Sequence, residues 1–241
     1  MTASEQTRIA YLQAMGIDVW VRREHVSTSD TEAAVGEVPS VVAASGMPMP
    51  AGDVATLDWA ALEARVAGCT LCELHRSRTQ TVFGVGNRAA DWLVIGEAPG
   101  ADEDRQGEPF VGRAGQLLNE MLRAVGMSRE QVFIANILKC RPPRNRDPRP
   151  EEEAACTPYL YRQIELLQPK LVLALGRIAA QRLLGTDASL SRLRGSVHTH
   201  AATGTPVVVT YHPAYLLRSP AEKRKAWQDL LFACSVASDR A

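Results

Sequence analysis

The chain has 241 residues, of which 46% are hydrophobic, enough to bury one sizeable core with a short appendage left over. Lys plus Arg and Asp plus Glu both number 27, so the neutral total excludes nucleic-acid binding driven by bulk charge. No stretch approaches the roughly 18 consecutive apolar residues of a membrane span, and the N-terminus does not resemble a signal peptide. We therefore expect a cytoplasmic, monomeric protein without membrane contact.

The N-terminal quarter of the chain differs in composition from the rest. Residues 1–26 contain a short mixed segment, YLQAMGIDVWVRRE. Residues 27–55 are rich in Ser, Ala, Gly, Pro and Val, contain no aromatic residue and show no sustained period. Such a stretch buries too little apolar surface to offset the entropy lost on ordering, which predicts a flexible linker. We expect one folded domain over residues 56–241.

The domain alternates helical patterns with apolar runs. Apolar residues recur at helical spacing from Leu57 to Gly68, and again over residues 115–126 with Gly126 as a cap. Continuous apolar strands between helices are typical of a parallel sheet covered on both faces. The sequence therefore predicts an α/β fold, a three-layer α/β/α sandwich with a central, mainly parallel four-stranded sheet. The four predicted strands are WLVIGE (92–97), QVFIANILKC (131–140), KLVLALG (170–176) and PVVVTYHP (206–213).

Functional-looking residues follow each predicted strand. In open α/β sheets, ligands bind beyond the carboxyl ends of the strands. That rule selects Glu97, Asn136, Gly176 and His212. Each has an ordinary structural alternative, since Asn is common in turns and a His before Pro can simply support a strand-to-turn junction.

A glycine-rich acidic loop, GEAPGADEDRQGEPFVGRAG, follows the first predicted strand. Its glycines fit neither the dinucleotide fingerprint nor the P-loop, which argues against a nucleotide cofactor. From pattern alone, a surface turn with solvated acids is favoured over a ligand-binding loop. Phe110, flanked by this loop's glycines, has two interpretations: it offers a flat face to a base, or it packs into the core.

Five cysteines are spread over the chain. In a reducing compartment they are better interpreted as ligands or buried thiols than as disulfides. Cys69-x2-Cys72 supplies a pair of thiolates, and Cys140 and Cys156 are single ligands. Four cysteines suit either a cubane iron-sulfur cluster or a tetrahedral zinc, and the two unpaired positions modestly favour the cluster. Four unrelated buried thiols are the alternative. Cys234 is predicted to be a core residue of a C-terminal helix.

A basic segment, KCRPPRNRDPR, spans residues 139–149. Five basic residues against one acid give a local charge of plus four. The prolines restrict the backbone and keep the arginines extended, as contact with a phosphate backbone requires, although a solvated basic loop is the alternative. A second basic group follows the last predicted strand. The residues are Lys139, Arg141, Arg144, Arg146, Arg149 and Asp147 in the first segment, and Arg218, Lys223, Arg224 and Lys225 in the second.

Three motifs carry a specific resemblance to a known family. GEAPGADEDRQGEPFVGRAGQLL, NILKCRPPRNRDP and YHPAYLLR, in this order, resemble the motifs of the family 4 uracil-DNA glycosylases, the iron-sulfur members of the uracil-DNA glycosylase superfamily. The resemblance runs from about Cys69 to Leu231, two thirds of the chain. It implies an enzyme that flips uracil out of DNA and hydrolyses the bond to deoxyribose, leaving an abasic site for base excision repair.

The resemblance also implies a cofactor. Cys69, Cys72, Cys140 and Cys156 match the ligands of a 4Fe-4S cluster, which is expected to be structural and to hold the basic segment in place. Lys139, Arg141, Arg144, Arg146 and Arg218 are the expected DNA contacts. A non-catalytic iron-sulfur module for DNA binding or electron transfer, or a zinc-stapled interaction domain, would share these features without requiring Asn136 or His212.

Roles within the pocket follow from the same resemblance. Asn136 matches the residue that recognises the Watson-Crick edge of uracil, and Phe110 the residue that stacks on it. His212 is expected to donate to uracil O2. Ala98 stands where other uracil glycosylases place a carboxylate, so Glu97 is expected to orient water or to support the oxocarbenium ion. Asp102 and Glu103 are alternatives for that role. Leu216 or Leu217 is expected to wedge into the duplex.

The N-terminal segment lies outside this family pattern. It resembles the N-terminal peptide of the psi subunit of the bacterial clamp loader, with Met15-Gly16-Ile17 and Trp20 as anchors and a flexible linker behind them. The resemblance implies recruitment to the replication clamp loader through residues 1–26. A peptide that folds back on its own domain is the alternative.

Overall fold

The computed structural model of the chain describes residues 54–238. The predicted N-terminal peptide, residues 1–26, lies outside these residues, as does the predicted linker up to residue 53. The domain boundaries and the clamp-loader contact therefore stay predictions. Within the described range, no helix combines the length and the apolar character needed to cross a membrane.

A six-stranded sheet forms the centre of the domain, in the order β1-β3-β2-β4-β6-β5. The four inner strands are parallel and are the four that the sequence predicted. The predicted strand count was wrong, because a short antiparallel strand is added at each edge. The edge strands are partly exposed and lack the continuous apolar run that marked the others. The strands are β1 Val85–Gly86, β2 Trp92–Gly96, β3 Phe133–Asn136, β4 Leu171–Leu175, β5 Val197–Thr199 and β6 Pro206–Thr210.

Helices connect the strands and begin and end at sequence signals. The first helix begins after Asp58, whose side chain accepts a hydrogen bond from the backbone N–H of Ala61 at 2.8 Å, and ends at Gly68. The predicted helix over 115–126 begins two residues earlier and ends at Ala124. The helices are α1 Trp59–Ala67, α2 Ala101–Gln106, α3 Arg113–Ala124, α4 Pro150–Leu167, α5 Arg177–Leu184, α6 Leu190–Leu193, α7 Pro213–Arg218 and α8 Lys223–Ser238.

Two hydrophobic clusters cover the two faces of the sheet. Because successive strand side chains point to opposite faces, Leu93 and Ile95 of β2 pack into one cluster and Val94 into the other. The first cluster includes residues of α1, α4 and α5, and the second residues of α3, α7 and α8. Cys234 packs at the margin of the second cluster. This layering leaves the carboxyl ends of the parallel strands free to form a site.

Candidate active site

A cavity of about 520 Å³ lies at the carboxyl ends of the inner strands. Glu97 and Ala98 enter it from the end of β2, Asn136 from the end of β3, and His212 from the turn after β6. Phe110, on the loop between α2 and α3, completes this wall. The structure thus brings together the five pocket residues selected from the sequence. They converge because parallel strands end at the same edge of the sheet.

Gly96, which the sequence analysis did not select, allows this convergence. Gly96 and Asn136 are register partners at the ends of β2 and β3. A Cβ atom at Gly96 would lie 2.4 Å from Asn136 Oδ1 and 2.6 Å from Phe110 Cζ. Only a residue without a side chain therefore lets the amide and the aromatic ring approach the strand end together.

Asn136 presents an unpaired polar atom to the cavity. Its side chain is 2% exposed, and Oδ1 has no hydrogen-bond partner within the described residues. Leaving a buried acceptor unpaired costs about 1–3 kcal/mol. A ligand that carries an N–H group at this point would recover that free energy.

Lys139 supports Asn136 from behind. Its Nζ atom donates to the Asn136 backbone carbonyl at 2.9 Å and to Gln163 Oε1 at 2.6 Å. Burial lowers the pKa of Lys139 to about 8, against the effect of the nearby Cys156. At 1% exposure it cannot reach a DNA phosphate, so its predicted role as a DNA contact was wrong. Lys139 lies directly before Cys140 at the end of an apolar run, and its side chain points into the domain.

The loop that carries Phe110 is held by Glu103. The Glu103 carboxylate accepts from the backbone N–H groups of Gly100 at 3.1 Å, Val111 at 3.0 Å and Gly112 at 3.1 Å. Three of its hydrogen-bond acceptor sites therefore hold the loop, and Glu103 also lines the cavity. Its role as an alternative to Glu97 stays a prediction. Asp102, the other alternative, lines the cavity and pairs with Arg105 at 2.6 Å.

Phe110 itself adopts an unusual backbone conformation. Its φ angle is 56°, in the left-handed region, which costs free energy for a residue with a side chain. The Arg129 guanidinium donates to the carbonyls of Pro109 and Phe110, which offsets part of that cost. A Cβ atom on Gly115 would lie 1.7 Å from the Phe110 carbonyl oxygen, so α3 packs directly on the loop. The Phe110 ring lies 5.6 Å from the His212 ring, with 32° between their planes.

The protonation of His212 follows from its contacts. Its Nδ1 atom accepts a hydrogen bond from the backbone N–H of Ala214 at 3.1 Å, at the beginning of α7. Burial, together with the positive charge of the nearby Arg218, lowers the pKa of His212 to about 4. At neutral pH the ring is therefore neutral, with its proton on Nε2. A neutral donor is available to a ligand in the cavity.

Glu97 is a half-buried carboxyl group on the cavity wall. Burial and the negative charge of Asp147 together raise its pKa to about 7, although Arg177 opposes the shift. Asp147 and Arg177 are themselves 3.4 Å apart. A carboxyl group whose pKa lies near neutrality is suited to proton transfer or to water activation.

The predicted basic surface is smaller than the sequence suggested. Arg144 is exposed, with a φ of 55°, and Arg141 donates to Asn145 Oδ1 at 2.8 Å. Arg146 makes a bidentate pair with Glu152, at 2.5 and 2.9 Å, so its charge is largely compensated. Arg218 is exposed at the cavity rim. Arg113, which the sequence analysis missed, is exposed at the same rim.

Leu216 does not lie where a DNA wedge requires. It is 1% exposed and packs into the second hydrophobic cluster, so the prediction that it inserts into the duplex was wrong. The helical turn of α7 points Leu216 inward. The neighbouring Leu217 is partly exposed, and Tyr215 is 38% exposed.

The four predicted cysteine ligands line one small cavity, away from the pocket. Arg78 donates to Cys140 Sγ at 3.1 Å, and the Lys139 backbone N–H donates to Cys156 Sγ at 3.2 Å. Burial raises the pKa of Cys156 to about 12. Across residues 54–238, no three or more His, Cys, Asp or Glu side chains are arranged to hold a metal ion. Four cysteines nevertheless line one cavity, and the sulfurs of Cys140 and Cys156 accept N–H hydrogen bonds.

The chain is similar in sequence to known proteins of one superfamily. A model of the uracil DNA glycosylase superfamily matches residues 83–231. A type-4 uracil-DNA glycosylase of Archaeoglobus fulgidus is 47% identical over 161 residues, which cover 64% of this chain and 81% of that protein. One from Thermotoga maritima is 47% identical over 156 residues, with the same coverage. A type-5 uracil-DNA glycosylase of Thermus thermophilus is 33% identical over 149 residues, covering 54% of this chain and 68% of that protein.

Proposed function

The chain belongs to the uracil DNA glycosylase superfamily, and on that premise we propose that it is a DNA repair enzyme of the type-4 kind. It hydrolyses the bond between uracil and deoxyribose in DNA and leaves an abasic site. The observation that carries this function is the unpaired Oδ1 atom of Asn136, buried in a cavity that also holds Phe110, His212 and Glu97.

Asn136 recognises the base. Uracil carries an N–H at N3 and a carbonyl at C4, which match the acceptor and the donor of one amide side chain. Cytosine carries an acceptor at N3 and an amine at C4, so both contacts are mismatched. A buried mismatch of this kind costs about 1–3 kcal/mol per group. Phe110 covers one face of the base, a role supported by its fixed position between Gly96 and His212.

His212 stabilises the departing base. Cleavage leaves negative charge on uracil, and the Nε2–H of a neutral imidazole donates to O2. This role is supported by the occupied Nδ1 atom and by the lowered pKa of His212. Glu97 acts as a carboxylate that orients the attacking water or faces the positive sugar, beside the small side chain of Ala98. A preorganised hydrogen-bond donor such as His212 Nε2–H lowers the activation barrier by about 2.7–4 kcal/mol.

DNA binds across the cavity rim. Arg141, Arg144 and Arg218 contact phosphates, and Arg113 joins them. Arg146 supports the rim through its pair with Glu152. Phosphate contacts position a duplex without reading its sequence, which suits an enzyme that inspects any DNA for one wrong base. The partly exposed Leu217 fills the stack when uracil leaves it.

The four cysteines hold a 4Fe-4S cluster. Cys69, Cys72, Cys140 and Cys156 would hold it, since a 4Fe-4S cluster takes four thiolate ligands and these four cysteines line one cavity. The cluster serves as a structural staple between the Cys69–Cys72 turn and the end of β3. Full-length protein purified without oxygen should be brown and contain iron and sulfide; Cys140→Ser should lose both, whereas Cys234→Ser should keep them. A colourless wild-type protein containing zinc would contradict the cluster.

Uracil release tests the proposed function directly. Full-length protein is incubated with an oligonucleotide that carries a single uracil, and abasic sites are then cleaved with alkali. We expect strand cleavage at uracil and none with thymine or cytosine at that position. His212→Asn, which retains a group able to accept from Ala214, should slow release by about two to three decades. DNA binding without uracil release by the wild type would favour a non-catalytic module instead.

A further inference from the structure

A buried ion pair lies directly behind the peptide that carries His212. Arg194, which follows α6, makes a bidentate pair with Asp229 of α8: Nε lies 2.7 Å from Oδ2 and NH2 lies 2.9 Å from Oδ1. Asp229 is 3% exposed. Two parallel N–H···O bonds fix both the distance and the plane of the partners, so this pair is a rigid reference point within the domain.

The pair is joined to both residues that precede His212. Thr210, fully buried at the end of β6, donates from Oγ1 to Asp229 Oδ2 at 2.8 Å. The Arg194 guanidinium lies 4.4 Å from the centre of the Tyr211 ring, and NH1 donates to Tyr211 Oη at 3.3 Å. The direction in which the chain leaves β6 toward His212 is therefore set by Arg194 and Asp229.

Arg194 has little hydrogen-bonding capacity left for DNA. Besides its bonds to Asp229 and Tyr211, NH2 donates to the Lys225 carbonyl at 3.0 Å. Four hydrogen bonds thus occupy four of its five N–H donors. Its side chain is only 13% exposed. An arginine with this set of partners acts on the protein rather than on a phosphate.

The close approach of Gly176, directly after β4, limits where His212 can move. A Cβ atom at Gly176 would lie 3.0 Å from His212 Cβ, so the ring's base already packs closely against the end of β4. His212 is therefore constrained both by this contact and by the ion pair bound to Thr210 and Tyr211.

We propose that Arg194, held by Asp229, is a positioning residue for uracil release, which fixes the peptide of His212 so that Nε2–H meets the departing base. The inference rests on the proposed function of His212. Displacement of a catalytic group by about 1 Å can cost two decades in rate. Loss of Arg194 should therefore slow the chemical step without lowering the affinity for DNA.

The experiment is a double-mutant cycle measured in single turnover with enzyme in saturating excess, so that the rate reports chemistry and not binding. Arg194→Met should slow uracil release by roughly tenfold to a hundredfold. Added to His212→Asn, it should slow release by less than about threefold, because the group that it positions is already gone. Arg194→Lys, which keeps the charge and some donors, should recover part of the rate.

Arg162→Met is the matched control. Arg162 is 19% exposed and donates to the Leu57 carbonyl at 2.7 Å, so it is an arginine of similar burial that makes no contact with the His212 segment. Its loss should leave the rate within about twofold of wild type, since it touches no reacting group. Asp229→Asn provides a second route to the same answer if Arg194→Met does not fold, and should also slow release only when His212 is present.

Two results would overturn the positioning role. In one, Arg194→Met folds and releases uracil at the wild-type rate. In the other, Arg194→Met or Asp229→Asn slows release by the same factor with and without His212, which would mean a general structural effect. Absence of uracil release by the wild-type protein is a different result and would overturn the proposed function itself.

Discussion

The strand ends that carry Asn136 and His212 are both supported by a buried cation, but the two cations are anchored in different places. Lys139 binds the Asn136 carbonyl and, through its backbone, Cys156, so the end of β3 is tied to the cysteine cavity. Arg194 ties the end of β6 to Asp229 on α8. The support behind Asn136 is thus coupled to the cysteine cavity, whereas the support behind the His212 segment comes from the ion pair with α8.

In both places, polar groups at the cavity are supported by hydrogen bonds among the residues behind them. Among the described residues, Asn136 Oδ1 has no hydrogen-bond partner and His212 lines the cavity, while Lys139 and Thr210 behind them make hydrogen bonds of their own. Such support holds the unpaired atoms in position before the substrate arrives, which is the requirement for electrostatic stabilisation of a transition state.

Gly96→Ala should have the largest effect on the rate of uracil release, because its new Cβ atom would clash with both Asn136 and Phe110. The new Cβ atom would meet Asn136 Oδ1 at 2.4 Å and Phe110 Cζ at 2.6 Å. We expect uracil release to slow by about two decades or more, as expected when reacting groups shift by 1 Å. Gly68→Ala, where the nearest atom is 3.8 Å away, is the control and should retain activity. Equal rates for the two variants would show that the close approach at Gly96 is unimportant.

Glu97 should give the pH profile its shape. Because its pKa is raised to about 7, the active carboxylate forms as pH rises, so the rate should increase through pH 7 and then level off. At pH 6 about a tenth of the plateau rate should remain for a single ionisation. His212, with a pKa of about 4, stays neutral over this range and adds no second limb.

Glu97→Gln is the matching variant for that profile. It should lower the plateau and remove the rise near pH 7 in single-turnover measurements. A rise of unchanged shape in Glu97→Gln would assign the ionisation to a different group.

Glu103→Gln should have an intermediate effect, through the loop that carries Phe110. The neutral amide oxygen is a weaker acceptor for the N–H groups of Gly100, Val111 and Gly112. Losing the charge should weaken the hydrogen bonds that hold the loop by about 1–2 kcal/mol in total. Uracil release should therefore slow by roughly tenfold. Glu120→Gln, at an exposed pair with Arg123, should be silent. If the two variants have equal rates, Glu103 does not hold the base-stacking ring.

Lys139→Met should have the smallest effect on DNA binding. Since Lys139 is buried, the salt dependence of DNA affinity should not change, whereas Arg144→Ala should lower its slope by about 0.9. Lys139→Met should instead weaken the preference for uracil over cytosine by a few fold, because the Asn136 carbonyl loses a partner. A lower salt slope for Lys139→Met would restore this residue to the DNA surface.

The predictable part of this molecule is the part that depends on period and order. Continuous apolar runs identified the four inner strands, and the rule for parallel strand ends placed Glu97, Asn136 and His212 in one cavity. The edge strands were not predicted because they are short and their residues are partly exposed. The assignment of Leu216 failed because motif position does not tell which face of α7 is buried.

The supporting contacts were beyond the reach of sequence patterns. Lys139 reads as one more cation of a basic segment until its contacts with Asn136 and Gln163 are known. Arg194 and Asp229 are 35 residues apart and belong to no motif. Such pairings depend on tertiary packing. A local signal does exist at Glu103, three residues after Gly100 and close to Gly112, but the same pattern also suits a solvated acidic loop.

The role of Asn136 in base recognition is tested by comparing how well wild type and Asn136→Asp discriminate between uracil and cytosine. Single-turnover rates are measured on two otherwise identical oligonucleotides, with uracil or cytosine at one position. We expect wild type to prefer uracil strongly and Asn136→Asp to lose most of this preference, by about one to two decades, because a carboxylate cannot donate to O4. An unchanged preference in a folded Asn136→Asp variant would contradict the role of this amide as the recognition group.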